Sequence, residues 1–98
     1  MNVIWMPAAN RDRRDITDNI AQDNPAAAIK MDELFEAASK RLARFPHAGR
    51  PGKVPATREL IPHKNYRMVY QVGENTVWIL ALFHTSRQWP PDVFRMDQ

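Results

Sequence analysis

Three basic side chains in the C-terminal half of the sequence could do chemistry together. Arg67 lies inside one strongly apolar run, and His84 and Arg87 follow a second one. A histidine can exchange a proton near neutral pH, and guanidinium groups can stabilise negative charge that develops on a phosphate. Because neighbouring strands lie about 5 Å apart, we expect these three groups to gather at one edge of one sheet. This cluster is the first candidate site.

The two apolar runs that carry these residues predict a β-hairpin. Residues 66–72 place Tyr66 and Tyr70 on one face and Arg67 on the other, and residues 77–83 are apolar at every position. The Gly-Glu-Asn tripeptide between the runs is typical of a turn. A continuous apolar run predicts a central strand that is covered on both faces.

A basic belt precedes and overlaps the hairpin. Residues 40–70 contain eight lysines and arginines but only one acidic residue, Glu59, whereas the whole chain has a net charge of +3. Such a belt suits a polyanion or an acidic protein segment, although an unevenly charged, solvated surface is an alternative explanation. Within the belt, residues 47–55 are rich in glycine and proline and predict an exposed loop that presents Arg50 and Lys53. The Walker spacing is absent, which excludes a P-loop nucleotide site.

The N-terminal half predicts one strand and two helices. Residues 3–6 are short, apolar and β-compatible, and residues 8–22 show helical spacing. Asn24 and Pro25 are typical of an N-cap and a first helical position, so a second helix is expected to start there and to end before Pro46. Its predicted core stripe, which Leu34 widens, consists of Ala28, Met31, Phe35, Ala38, Leu42 and Phe45.

Residues 57–61 predict one more short strand, so the element order is β-α-α-β-β-β. This order predicts a single α+β domain over residues 1–98, with a helical hairpin packed on a small, mostly antiparallel four-stranded sheet. The tail from residue 90 is expected to be loosely held.

The composition also narrows the function. The chain has no cysteine, which excludes disulfides and thiolate chemistry. No metal site and no cofactor are predicted. No apolar run approaches the roughly 20 residues of a membrane span, so we predict a cytoplasmic protein that has no membrane partner.

The chain resembles the RelE/ParE superfamily of toxins from bacterial type II toxin–antitoxin systems. Three segments carry the resemblance, and as a set they are fairly specific: GRPGKVPATREL at residues 49–60, YRMVYQV at residues 66–72 and ILALFHTSRQW at residues 79–89. The resemblance implies a small toxin that is neutralised by an antitoxin encoded beside it. It leaves two targets open, because RelE-like members cleave mRNA on the ribosome and ParE-like members poison DNA gyrase.

A RelE-like mechanism implies an endoribonuclease in which Arg67, Arg87 and His84 are catalytic. Arg67 and Arg87 match the two arginines of that pattern, and Arg58 matches one basic strand position. The chain departs from the pattern at two positions: Leu60 replaces a second lysine, and Val93 stands near the expected C-terminal tyrosine. Loss of a cation and of an aromatic group removes parts on which such chemistry depends.

The ending HTSRQW is nearer to ParE-like members, in which an arginine and a tryptophan close the last strand. The favoured function is therefore a gyrase poison that acts by protein–protein contact. Its predicted target-binding residues are Arg58, Arg87, Trp89, Arg50 and Lys53. A non-toxic, basic nucleic-acid-binding module is the third hypothesis. In both toxin hypotheses the partner is an acidic antitoxin that folds on binding, which gives a hetero-oligomer.

Purely structural roles compete with these functions at three residues. Arg67 could pair with Glu59 across adjacent strands, since opposite charges are common in that arrangement. His84 could be a satisfied histidine at the edge of a sheet. Trp89 could pack the tail onto the sheet, because burial of an aromatic ring needs no functional explanation.

Overall fold

The structure, a computed structural model, describes residues 1–90 and consists of two helices packed on one five-stranded sheet. The elements are β1 (Asn2–Trp5), α1 (Pro7–Asp23), α2 (Pro25–Arg44), β2 (Arg50–Pro51), β3 (Arg58–His63), β4 (Tyr66–Val72) and β5 (Thr76–His84). The strand order is β1-β5-β4-β3-β2, in which β1 pairs with β5 in parallel and every other pairing is antiparallel. The predicted α+β architecture and element order are therefore confirmed.

The sheet has one strand more than predicted. Arg50 and Pro51, which the sequence places in a loop, pair with β3 as the two-residue strand β2. Proline is tolerated there because β2 lies at the edge of the sheet, where no further strand requires an N–H donor. The extra strand brings Arg50 opposite Glu59.

A single residue, Asn24, links the two helices of the hairpin, as the sequence predicts. The backbone N–H of Asn24 donates to the Ile20 carbonyl and ends α1, while its side chain accepts a hydrogen bond from the Ala27 N–H at 3.1 Å and caps α2. Prolines occupy the first turn of both helices, where the missing N–H costs no hydrogen bond.

The core stripe of α2 is confirmed at four positions, Ala28, Phe35, Ala38 and Leu42, which are all buried. The prediction is wrong for Phe45, which is 57% exposed, and for Leu34, which is 41% exposed. Phe45 lies beyond the end of α2, so the helical spacing no longer directs its ring toward the sheet. Its ring lies beneath the Arg44 guanidinium instead, at 5.5 Å.

An ion-pair network joins the two helices. The Arg13 guanidinium donates to Asp32 Oδ1 at 2.6 Å and to Glu36 Oε1 at 3.2 Å, and it lies 4.7 Å from the centre of the Trp5 ring. These contacts tie α1 to α2 and to β1. The carboxylates raise the pKa of Arg13, and the hydrogen bond that Arg13 donates to Asp32 is the largest cause.

The helix-facing side of the sheet forms the core. Residues from three strands, Leu60, Met68, Tyr70, Val77, Ile79 and Leu82, pack there with Phe35 and Leu42. The register between β4 and β5 shifts at Leu80, since Tyr70 pairs with Ile79 and Val69 pairs with Ala81. This bulge keeps both Ile79 and Leu82 on the helix side although they are three residues apart.

The opposite side of the sheet, which we call the outer face, receives neither helix. β5 is central, as predicted, but the prediction that both of its faces are covered is wrong at Trp78, which is 38% exposed. Ile4, which pairs with Trp78, and Ile61 are also exposed. No helix among residues 1–90 is both long and apolar enough to cross a bilayer.

Candidate functional site

Of the three basic residues that were expected to cluster, His84 and Arg87 line one cleft, and the sheet separates Arg67 from both. The Tyr66 ring packs edge-on against Phe35 of α2 at 5.6 Å, so the next residue, Arg67, projects from the outer face. His84 pairs with Tyr66 and contacts its ring at 5.5 Å, which places the histidine on the helix side. The expectation of one shared edge cluster is therefore wrong, because strand alternation directs neighbouring residues to opposite faces.

His84 belongs to a turn that closes the end of β5. Its Nδ1 accepts a hydrogen bond from the Ser86 N–H at 3.0 Å and lies 2.8 Å from the Ser86 hydroxyl. The Arg87 N–H donates to the His84 carbonyl at 2.9 Å. Glu59 lies on the outer face beside Arg67 and does not contact His84.

Arg87 lies in a cleft of about 700 Å³ between α1 and the end of β5. Asp12, Asp15 and Asp18 of α1 line this cleft, and no carboxylate within the described chain approaches Arg87 to salt-bridge distance. Sequence reasoning missed these acidic residues because they are about seventy positions away from Arg87.

Asp12 has a structural role in the same cleft. Its Oδ2 accepts a hydrogen bond from the Leu82 N–H at 3.0 Å. The pairing of β1 with β5 ends at Ile79, so Asp12 supplies an acceptor to a part of β5 that β1 does not reach. Burial raises the pKa of Asp12, while the Leu82 hydrogen bond and the charge of Arg87 oppose that shift.

Three of the eight cations of the basic belt lie around one buried carboxylate on the outer face. Glu59 is only 7% exposed, and its Oε1 lies 3.4 Å from Arg67 Nη1 and 3.9 Å from Arg50 Nη2. The cross-strand pairing of Arg67 with Glu59 is thus confirmed. Lys53 joins these three residues around a pocket of about 320 Å³. We call Arg50, Lys53, Glu59 and Arg67 the outer cluster.

The loop that carries Arg50 and Lys53 is anchored through Gly49. The Gly49 N–H donates to the Tyr70 hydroxyl at 2.8 Å, and Arg58 Nη1 donates to the Gly49 carbonyl at 2.7 Å. A Cβ atom on Gly49 would lie 2.5 Å from the Glu59 carbonyl oxygen, so no side chain fits. Burial raises the pKa of Tyr70, which stays a neutral hydroxyl. Arg58, a predicted target-binding residue, therefore stabilises the position of the loop through its hydrogen bond to the Gly49 carbonyl.

The other positions that the resemblance singled out, Leu60, Trp89 and Val93, lie outside the outer cluster or outside the described residues. Leu60 is 8% exposed in the core, so its side chain faces the helices and not the outer cluster. Trp89 is half-buried, and Val93 lies outside the described residues. Among residues 1–90, no three histidine, aspartate or glutamate side chains form a group that could hold a metal ion.

The chain is similar in sequence to known bacterial toxins. The family model described as "ParE toxin of type II toxin-antitoxin system, parDE" matches residues 3–89. The chain is 34% identical to the protein Y4kP of Sinorhizobium fredii over 87 residues, which are 88% of this chain and 90% of that protein. It is 33% identical to the toxin RelE2 of Caulobacter vibrioides over 85 residues, which are 87% of this chain and 96% of that protein.

Solved structures extend the likeness to the fold. A chain from the chromosomal ParDE system of P. aeruginosa superposes with a TM-score of 0.75 at 25% identity, over 86% of this chain and 95% of that chain. A YoeB/ParE toxin from Agrobacterium tumefaciens superposes with a TM-score of 0.61 at 17% identity, over 86% of this chain and 98% of that chain. The second likeness concerns the fold alone.

Proposed function

Because the chain belongs to the ParE toxin family of type II toxin–antitoxin systems, we propose that it inhibits growth by poisoning DNA gyrase through protein–protein contacts. The protein is thus the toxin of a module that includes a cognate antitoxin. In this proposal it performs no chemistry of its own, and it acts in the cytoplasm, where its target is found.

The observation that carries the proposal is the separation of Arg67 from His84 and Arg87. A ribonuclease mechanism needs a base for the 2′-hydroxyl and cations on the same phosphate, which means groups within a few ångströms of one reacting centre. Arg67 instead contacts Glu59 on the outer face, while His84 packs against Tyr66 on the helix side. Separated cations of this kind suit a broad binding surface better than one catalytic centre.

The proposed target contacts fall into two groups. Arg50 and Lys53 are exposed on the anchored loop, and Arg87 is exposed after β5, followed by Trp89. Arg58 contributes indirectly, because its guanidinium holds the Gly49 carbonyl and so sets the position of the loop.

The proposed antitoxin presents an acidic, partly disordered segment that folds as it binds and gives a hetero-oligomer. The excess of cations over carboxylates in residues 40–70 and the exposed apolar residues of the outer face support this part of the proposal. Coupled folding predicts a large negative heat-capacity change, and the charged contacts predict slower association at high salt. A basic partner, or binding without either signature, would contradict it.

Purified components test the target directly. We expect the toxin to inhibit gyrase supercoiling and to stabilise gyrase cleavage complexes, while toeprinting shows intact mRNA on translating ribosomes. Cuts in codon register together with unaffected gyrase would instead identify the ribosome-dependent endoribonuclease. Unimpaired growth on expression without the antitoxin would contradict growth inhibition by either route, and would favour a basic binding module without toxicity.

A further inference from the structure

The outer cluster contains more hydrogen-bond donors than acceptors. A guanidinium carries five N–H groups, and the two arginines of the cluster share a single carboxylate oxygen, Glu59 Oε1. Both contacts are long, at 3.4 and 3.9 Å, and Arg67 Nε is buried without an acceptor among residues 1–90. Buried donors without partners are uncommon in folded proteins, so this one requires an explanation.

The arrangement suits one incoming oxyanion. Arg50, Lys53 and Arg67 line the same pocket of about 320 Å³, and Glu59 offsets only one of their three positive charges. Arg50 reaches the pocket with 59% of its side chain exposed, and Arg67 with 29% exposed, so both guanidinium groups are accessible in part. Guanidinium groups bind planar carboxylates in bidentate geometry, which adds specificity to charge attraction.

The surroundings favour a protein partner over a nucleic acid. Ile61 follows Glu59 by two residues on the outer face and is 48% exposed, and Trp78 and Ile4 are exposed on the same face. A peptide can supply a carboxylate and apolar side chains together, whereas a phosphate backbone carries no apolar side chains.

We propose that the outer cluster is a carboxylate-binding site that receives an Asp or Glu side chain of a protein partner. In this site Glu59 is a positioning residue, which holds guanidinium groups from β2 and β4 toward one pocket. The inference deepens the proposed function and rests on it only for the identity of the partner, since the site itself can be tested on the isolated toxin.

Two matched probes test the site on the isotope-labelled protein by NMR titration. N-acetyl-glutamic acid α-amide carries a side-chain carboxylate, and N-acetyl-glutamine α-amide replaces it with a neutral amide of the same shape. At constant ionic strength we expect saturable shifts at the amides of residues 50–53 and at the Arg67 side chain with the first probe only. The Arg13 side chain, which Asp32 and Glu36 already occupy, should not shift.

Two single substitutions locate the binding charge. Arg50→Gln and Lys53→Gln should each weaken binding of the carboxylate probe roughly two- to fivefold, as expected for partly exposed charge contacts. Arg14→Gln removes the same charge from an exposed position on α1 and should leave the affinity unchanged. Equal weakening by all three variants would overturn the proposal, because it would show a response to net charge alone.

A phosphodiester probe distinguishes a protein carboxylate from a nucleic-acid phosphate as the ligand of this site. We expect dimethyl phosphate to bind more weakly than the carboxylate probe. Tighter binding of dimethyl phosphate would overturn the carboxylate assignment and identify a nucleic-acid contact. Identical shifts with the glutamic acid and glutamine probes would show that no oxyanion site exists, whatever the result of the gyrase assays.

Discussion

The two faces of the sheet are built from alternate residues of the same strands, yet they differ in which groups cover them. On the helix side, Met68, Tyr70 and Ile79 pack against Phe35 and are fully buried. On the outer face, Trp78 and Ile61 remain exposed, and a buried carboxylate is shared between two arginines. The helix side is therefore completed by the helices, whereas the outer face combines exposed apolar side chains with a shared, buried carboxylate.

The largest expected effect concerns the helix side. Phe35→Ala should lower the free energy of unfolding by about 3–5 kcal/mol, since its ring is fully buried against Tyr66 and the core. Urea denaturation measures this loss. The matched control is Phe45→Ala, which removes an equally large ring from an exposed position and should cost under about 1 kcal/mol. Similar losses for both variants would contradict the difference in burial.

The next effect concerns the loop that completes the outer cluster. Gly49→Ala should cost about 1–3 kcal/mol, because its methyl group would overlap the Glu59 carbonyl and the Tyr70 hydroxyl and displace β2. Gly73→Ala, whose methyl group would lie 3.3 Å from the nearest backbone oxygen, should cost less. Faster hydrogen exchange in residues 49–53 of the Gly49 variant would locate the damage. Unchanged exchange there would show that the Tyr70–Gly49 hydrogen bond does not position the loop.

Arg87 should affect activity more than stability. Arg87→Ala is expected to cost no more than about 0.5 kcal/mol, since the residue is exposed, while growth inhibition drops strongly. The measurement is growth after induction without antitoxin, with Arg14→Ala as a control of equal charge on α1. A stable Arg87→Ala protein of full toxicity would remove Arg87 from the target-binding surface.

The smallest effect depends on pH and on Asp12. Because burial raises its folded-state pKa above the usual 3.8, the folded protein binds this proton more tightly than the unfolded chain. The resulting stabilisation is present below the usual pKa and is lost as pH rises through the raised value. Asp12→Asn keeps an acceptor for the Leu82 N–H but cannot titrate, so its stability relative to wild type should increase across that pH range. Parallel pH profiles of the two unfolding free energies would contradict the shift.

Arg87 and Asp12 are also linked through charge. The positive charge of Arg87 lowers the pKa of Asp12, so Arg87→Ala should raise it further. An NMR titration of the Asp12 carboxyl measures this change, and an unaltered value would show that the two groups do not interact across the cleft.

Local spacing was sufficient to predict most of the elements. The Asn24–Pro25 link, the buried stripe through Phe35 and Leu42, and the turn after β4 all follow from contacts between residues a few positions apart. The prediction was wrong at Phe45, because α2 ends one residue before the apolar pattern does. It also missed β2, because that strand exists only through its pairing with β3.

Residue types and short spacings were sufficient to predict the family, the order of the two helices and the four longer strands, and the concentration of positive charge in residues 40–70. Which charges meet depends instead on the folded arrangement of distant segments. Strand alternation sent Arg67 and His84 to opposite faces, and the Gly49 anchor brought Arg50 to Glu59. Folding of the chain carried Asp12 to the cleft that holds Arg87, although the two residues are about 75 positions apart in the sequence. Pairings of this kind depend on register and on packing between distant segments, and no local pattern encodes them.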